Sequence, residues 1–295
     1  MPVVDGPLTT APDSGELEAR LEQHRSELTG YCYRMLGSAF EAEDAVQETF
    51  IRAWRGYERF EGRSALRSWL YRIATNVCLD LIESRKRRAL PMDLGPARDP
   101  HGPIGETLPE VSWIEPMPDR LVVPEDADPA EVAVARETIR LAFVAALQRA
   151  RATLESAEVS PEVSAEVEEP DAELLARYVE AFERYDMEAL TSLIHEDALQ
   201  SMPPYELWLR GRDDILAWWV GKGAGCRGSR VIPTVAANGA PAFGQYKPNE
   251  AGDGYEPWAL QVLEIVDGRI EGFTFFLDTE RVFPLFGLPL VFDQA

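Results

Sequence analysis

Cysteine is scarce: there are three in 295 residues, Cys32, Cys78 and Cys226, far apart and without metal-ligand spacing. That excludes a disulfide framework and a cysteine-built metal centre. The first two fall inside helical patterns and read as small hydrophobes. Long apolar runs are missing too, and none approaches the ~20 residues that a membrane-spanning helix needs. The opening stretch, MPVVDGPLTTAPDSGE, has neither a basic start nor an apolar centre, so it is no signal peptide and a cytoplasmic location is expected. Basic residues are outnumbered 29 to 51, for a net charge of −22, so any contact with nucleic acid must be local. Neither metal nor cofactor is expected.

The apolar fraction of 45% and charged fraction of 27% are those of a globular protein, and the length suffices for two domains with separate cores. Charge is unevenly distributed. Residues 20–90 sum to about +3, whereas residues 91–170 carry about −11. Residues 1–15 read as a disordered tail, and Asp13 or Ser14 is placed to cap a helix that starts near Glu16, passes His24 and Leu28, and ends near Gly37.

The richest stretch is Tyr31 to Arg88. Between Glu41 and Arg55, Ala42, Val46, Thr49, Phe50 and Ala53 recur with the period of a helix burying one stripe. Asp44, Gln47, Glu48 and Ile51 share another face, acidic and lightly apolar, which charge patterning alone would read as solvated. From Ser68 to Glu83, Leu70, Ile73, Ala74, Val77 and Leu81 form the buried stripe, while Trp69, Arg72, Asn76 and Leu79 line the opposite side. A guanidinium pairs with phosphate, a carboxamide hydrogen-bonds a base edge, and an indole stacks on a base. The small loop Gly62-Arg63-Ser64-Ala65 precedes that helix, and the run Arg85-Lys86-Arg87-Arg88 after it suits phosphate clamping. Singly each has a structural explanation; together they point to single-stranded or melted DNA. No catalytic constellation lies in this stretch.

The ordered segments YRMLGS, EAEDAVQETFIRAW and GRSALRSWLYRIATNVCLDLIESRKRR closely resemble the promoter-melting domain (sigma-70 region 2) of extracytoplasmic-function sigma factors. The resemblance implies that Asp44, Gln47, Glu48 and Ile51 dock on the clamp helices of the largest subunit of core RNA polymerase. It also implies that Gly62, Arg63, Ser64, Trp69, Arg72 and Asn76, with Arg85, Lys86, Arg87 and Arg88, meet promoter DNA at the −10 element. Residues 91–129 form an acidic linker rich in proline and glycine, with Trp113 and Ile114 as isolated apolar anchors. In the family the corresponding segment threads the polymerase cleft. Residues 130–155 are one helical pattern, in which AFVAALQ resembles the first helix of the −35-binding helix-turn-helix and LQRARATLE the end of its recognition helix. About fifty residues between them are missing. Residues 156–170, SAEVSPEVSAEVEEP, form a second acidic linker.

Residues 171–295 show three amphipathic helices followed by strands near 229–236, 240–246, 258–266 and 269–277, with Asp267-Gly268 as a hairpin turn. Helices followed by a meandering antiparallel sheet argue α+β, so the fold is multi-domain: an all-α N-terminal domain and an α+β C-terminal one. LLARYVEAFERYDMEALTSLIHEDALQSMPP, WLRGRDDILAWW and ALQVLEIVDGRIEGFTFF resemble the SnoaL-like cone fold, whose relatives include isomerases, cyclases and hydrolases. The pocket candidates are His195, Tyr205, Trp208, Trp218 and Trp258, with Glu196, Asp197 and Asp278 as further polar groups. Against this, His195-Glu196-Asp197 reads simply as a helix end and the tryptophans as packing. The apolar tail from Arg281 to Leu290 must be covered by its own domain or by a partner surface. The expected function is a non-enzymatic sigma factor that binds core polymerase and melts the −10 element under the control of its C-terminal domain, which contacts the sigma part. The alternatives are a SnoaL-type enzyme or small-molecule sensor, and a polymerase-binding variant unable to direct initiation for want of its −35 reader.

Overall fold

The structure is a computed structural model that describes residues 14–60, 65–83, 92, 95–108, 113–123 and 172–291. Its N-terminal part runs, among the described residues, through helices α1 (Ser14–Glu22), α2 (Arg25–Leu36), α3 (Ala39–Gly56) and α4 (Leu66–Glu83). The expected single first helix is two. The chain breaks at Gln23–His24, where His24 leaves helical geometry (φ −100°, ψ 0°) and its Nδ1 lies 2.6 Å from Glu27 Oε1. The break lets Leu17, Leu21 and Leu28 all reach the core. Gly37 ends α2 in the left-handed conformation (φ 68°), donating its N–H to the Tyr33 carbonyl. Ser38 then caps α3 by accepting the Glu41 N–H at 3.2 Å.

Ala42, Val46, Thr49 and Ala53 of α3 and Leu70, Ala74 and Val77 of α4 are buried, as their spacing predicts. They pack with Leu28, Cys32 and Tyr33 of α2. The same core takes in Met117 and Val122 from the acidic linker. Residues 113–123 therefore lie against the helices, with Trp113 and Met117 buried, where the sequence suggested an extended tether.

The C-terminal part runs α5 (Ala172–Arg184), α6 (Met187–Leu193), β1 (Ile194–Ser201), β2 (Trp208–Arg210), α7 (Arg212–Val220), β3 (Arg230–Pro233), β4 (Ala242–Pro248), β5 (Tyr255–Val266), β6 (Arg269–Phe276) and α8 (Thr279–Leu285). The six strands form one sheet in the order β2-β1-β6-β5-β4-β3. Two corrections follow. His195-Glu196-Asp197 does not end a helix, because α6 stops at Leu193 and these residues open β1. The sheet is mixed rather than a pure antiparallel meander, since β1 pairs parallel to β6, with a register shift between Ile194 and Leu199. The β5–β6 turn is Asp267-Gly268, with φ of 49° and 69° as that tight hairpin requires.

Helices α5, α6 and α7 cover one sheet face, packing Tyr178, Phe182, Leu190, Ile215 and Trp219 against strand residues such as Phe243 and Phe273. The other face is covered by α8 and the apolar tail, where Phe283, Phe286 and Leu288 pack on Tyr246, Leu260 and Phe276. Leu285 of α8 also touches the N-terminal core. Among the described residues, no helix is long and apolar enough to cross a membrane.

Candidate functional site

Helix α3 buries its alanine and valine stripe and so turns Asp44, Gln47 and Ile51 to solvent. Ile51 is 45% exposed and Trp54, one turn further on, 44%. Glu48 on the same side pairs with Arg52 at 2.7 Å, and Arg52 reaches Asp80 of α4 at 3.2 Å. The face thus combines two uncovered apolar side chains with carboxylates.

On α4, Arg72 and Asn76 are exposed and Leu79 is 46% exposed. Trp69 is half-buried, its ring 4.8 Å from Phe60 and packed over Gly56, where a Cβ would stand 3.3 Å from the indole. Tyr57, Phe60 and Trp69 form an aromatic cluster at the start of α4. Arg72 and Asn76 therefore share the solvent face, and Trp69 sits at its edge as part of a packed aromatic group. Gly62, Arg63, Ser64 and the basic run Arg85 to Arg88 lie outside the described residues.

Between the two parts lies a junction that the sequence did not reveal. Glu115 is buried, 7% exposed. One of its carboxylate oxygens accepts from the Ser38 hydroxyl, and the other lies 3.2 Å from Arg281 Nη1 of α8. The Arg281 guanidinium also stands 4.3 Å from the centre of the Phe40 ring. Tyr33 donates its hydroxyl to the Glu115 carbonyl at 2.7 Å, and the Glu115 N–H donates to the Gly37 carbonyl at 2.9 Å. Asn238 Oδ1 accepts the Met117 N–H at 2.8 Å and lies 3.2 Å from the Tyr33 hydroxyl. The Asp119 carboxylate accepts the Gly239 N–H at 2.8 Å. The available signal was the apolar cluster Trp113, Ile114 and Met117 inside an acidic tether; nothing local marks Arg281 or Asn238 as partners. Beside Arg281, the Asp278 carboxyl is pushed up by burial and by the neighbouring Glu280.

The C-terminal domain holds a cavity of about 490 Å³ between its helices and the sheet, within the range of small-molecule sites. Trp218 and Trp258 line it; His195, Tyr205 and Trp208 do not. His195 Nδ1 turns back to accept the Asp197 N–H at 3.2 Å. Tyr205 pairs with Thr107 as an isolated β-bridge, and the Trp208 indole donates to the Gly95 carbonyl at 2.8 Å. These two hold the linker segment 95–108 against the domain. Glu196 and Asp197 are exposed. Sequence reasoning missed Gln200, Gln245, Lys222, Lys247 and Cys226 in the lining. Burial pushes the Cys226 thiol up, away from the reactive thiolate. Among the described residues no histidine and no carboxylate lines the cavity, and no group of side chains could hold a metal ion.

Comparison with known proteins gives both parts a family. Residues 21–88 match Sigma-70 region 2, and residues 175–273 match the SnoaL-like domain. The chain is 41% identical to ECF RNA polymerase sigma factor SigG of Mycobacterium tuberculosis, over 93% of this chain and 84% of that one. That alignment spans 318 positions; 93% of 295 residues is about 274, so about 44 positions have no counterpart in this chain. ECF RNA polymerase sigma factor SigW of Bacillus subtilis is 44% identical over 63 residues, 21% of this chain and 34% of its own. The crystal structure of the M. tuberculosis extracytoplasmic function sigma factor SigJ covers 94% of this chain and 100% of its own, at 22% identity and a TM-score of 0.48. The similarity to SigG runs through both domains and the linker between them, and by it this chain belongs to the ECF RNA polymerase sigma factors.

Proposed function

We propose that this sigma factor docks on core RNA polymerase through Asp44, Gln47, Glu48 and Ile51 of α3. It opens the −10 element through Trp69, Arg72 and Asn76, with Gly62, Arg63 and Ser64 of the preceding loop and the basic run Arg85 to Arg88. The observation that carries the reading is two unlike exposed faces on adjacent packed helices. An acidic-apolar face with Ile51 at 45% exposure suits a protein partner, and an Arg72–Asn76 face suits phosphate and base edges. The domains implied are residues 16–90 and 171–295, joined by an acidic linker at 91–129; the expected remnant of the −35 reader at 130–155 and the second linker at 156–170 lie outside the described residues. The C-terminal domain sets the activity of the first through the Glu115–Arg281 junction. Such a protein works in the cytoplasm, where polymerase is.

The C-terminal domain is taken as non-catalytic; among the described residues the titratable groups of its cavity lining are Tyr185, Lys222, Lys247 and Cys226, with no histidine–carboxylate pair. A second reading has one specific support: AFVAALQ and LQRARATLE, which resemble the first helix and the end of the recognition helix of the −35 reader, are joined directly in this sequence. In that reading the chain binds polymerase but cannot direct initiation. One experiment separates the two: single-strand reactivity over candidate −10 elements, with core polymerase and the full chain. Opening of a promoter establishes a working sigma factor. Polymerase binding without opening at any element sinks the first reading and leaves the second.

A further inference from the structure

The cavity of the C-terminal domain has a chemical character that fits one class of small molecule. In a chain of net charge −22, its lining contains two lysines and, among the described residues, no carboxylate. Lys247 is largely neutralised: its ammonium lies 2.9 Å from Glu256 and 4.2 Å from the centre of the Trp258 ring. Lys222 is exposed at the rim and makes no ion pair with a described residue. The lining therefore offers one uncompensated positive charge.

The walls are aromatic and the polar groups few. Trp218, Trp258 and Phe275 supply flat apolar surface. Gln200 is 1% exposed, and its carbonyl oxygen accepts the Trp219 indole N–H at 2.7 Å. That bond fixes the amide orientation and leaves the NH₂ group without a protein acceptor among the described residues, at the cavity wall. A ligand oxygen entering the cavity would accept from it in place of water.

The remaining wall comes from the linker. Pro103 and Ile104 line the cavity, and the strap carrying them is tied down on either side. Before them, the Arg98 N–H donates to the Trp208 carbonyl at 2.9 Å and Arg98 pairs with Glu206 at 2.7 Å. After them, the Leu108 N–H donates to the Pro204 carbonyl at 3.0 Å.

We propose that this cavity binds a planar aromatic monoanion, its acid group at Lys222 and a second oxygen at the Gln200 amide, with the 95–108 strap closed over it. Occupancy and strap closure are then thermodynamically linked. Binding does not depend on the regulatory role assigned above to this domain; any effect on transcription does.

The test uses two dyes of one skeleton, anilinonaphthalene sulfonate and uncharged phenylnaphthylamine, titrated into the full chain by fluorescence. The sulfonate should bind saturably at one site and about tenfold tighter than the neutral dye, the worth of one charge-assisted contact. Lys222→Gln, an exposed change that leaves the core intact, should bring the two dyes within about threefold. Saturating sulfonate should slow hydrogen exchange at the Arg98 and Leu108 amides. Equal affinity for both dyes, non-saturable uptake, a preference unchanged in Lys222→Gln, or unaltered exchange in the strap would each overturn the proposal. Promoter opening is no part of these readouts, so the regulatory reading can fail while this one stands.

Discussion

Removing the Arg281 guanidinium should loosen the junction between the domains without unfolding either. In Arg281→Ala, Glu115 keeps its bond from the Ser38 hydroxyl but loses a charged donor 3.2 Å away. A hydrogen bond to a charged group contributes about 1.5–3 kcal/mol. Arg281 is 31% exposed, which screens the pair, while Glu115 at 9% side-chain exposure is not free to find water in its place. A loss of about 2 kcal/mol in docking free energy is the result, and at 1.4 kcal/mol per tenfold it raises the population of the undocked state about thirtyfold. Native-state hydrogen exchange reads this directly, because the Met117 and Asp119 amides donate to Asn238 and Ala236 of the C-terminal domain. Those amides should exchange about thirtyfold faster, while the Leu260 and Val262 amides in the middle of β5 should be unchanged. Unaltered exchange at both, or an equal rise throughout the sheet, would refute the assignment of Glu115–Arg281 as the junction's latch.

Three further outcomes are expected. Asn76→Ala should weaken promoter opening by about 1–3 kcal/mol if its amide reads a base, with polymerase binding retained; unchanged promoter preference would remove Asn76 from the reading face. The double change Asp44→Arg and Glu48→Arg should abolish polymerase binding, measured by co-elution, while helicity persists, since the Glu48–Arg52 pair it breaks is an exposed helical pair worth a few tenths of a kcal/mol. Gly244→Ala should destabilise the C-terminal domain by about 1–3 kcal/mol in urea unfolding, because the new Cβ would stand 2.8 Å from Leu288 Cδ1 in a packed cluster; an unchanged midpoint would show that the tail moves aside freely.

What could be read in the sequence was what repeats locally. The buried stripe of α3 shows in five apolar or small residues at helical spacing, and the β5–β6 hairpin shows in Asp267-Gly268. Strand β1 is hidden for two reasons. Its exposed stretch His195-Glu196-Asp197 falls at an irregularity, which spoils the alternation a strand would show. Its partner β6 is parallel and some seventy residues away, so no turn announces the pairing. The cavity was half legible: tryptophans at 218 and 258 announce an aromatic wall, but Gln200, Lys222 and Lys247 belong to a strand, a short 3-10 helix and another strand with no common motif. The Glu115–Arg281 pair was least legible, being one carboxylate among 51 acidic residues matched to a guanidinium 166 positions on.

That pair also decides how the C-terminal domain can act on the polymerase-docking helix. Ser38 has two roles: its Oγ accepts the Glu41 N–H as the cap of α3, and its hydroxyl proton goes to Glu115. Opening the Glu115–Arg281 contact leaves the first bond untouched, so α3 keeps its cap and its helix. Regulation through this contact would therefore change what covers or positions α3, not whether it is folded. The distinction is measurable. Ser38→Ala removes cap and latch together and should cost about 1 kcal/mol of helix stability on top of the docking loss, raising exchange at the first amides of α3 as well as at Glu115. Arg281→Ala should leave the first amides of α3 unchanged. If Arg281→Ala also frees the first turn of α3, the cap is held from outside, and the C-terminal domain governs the fold of the docking helix itself.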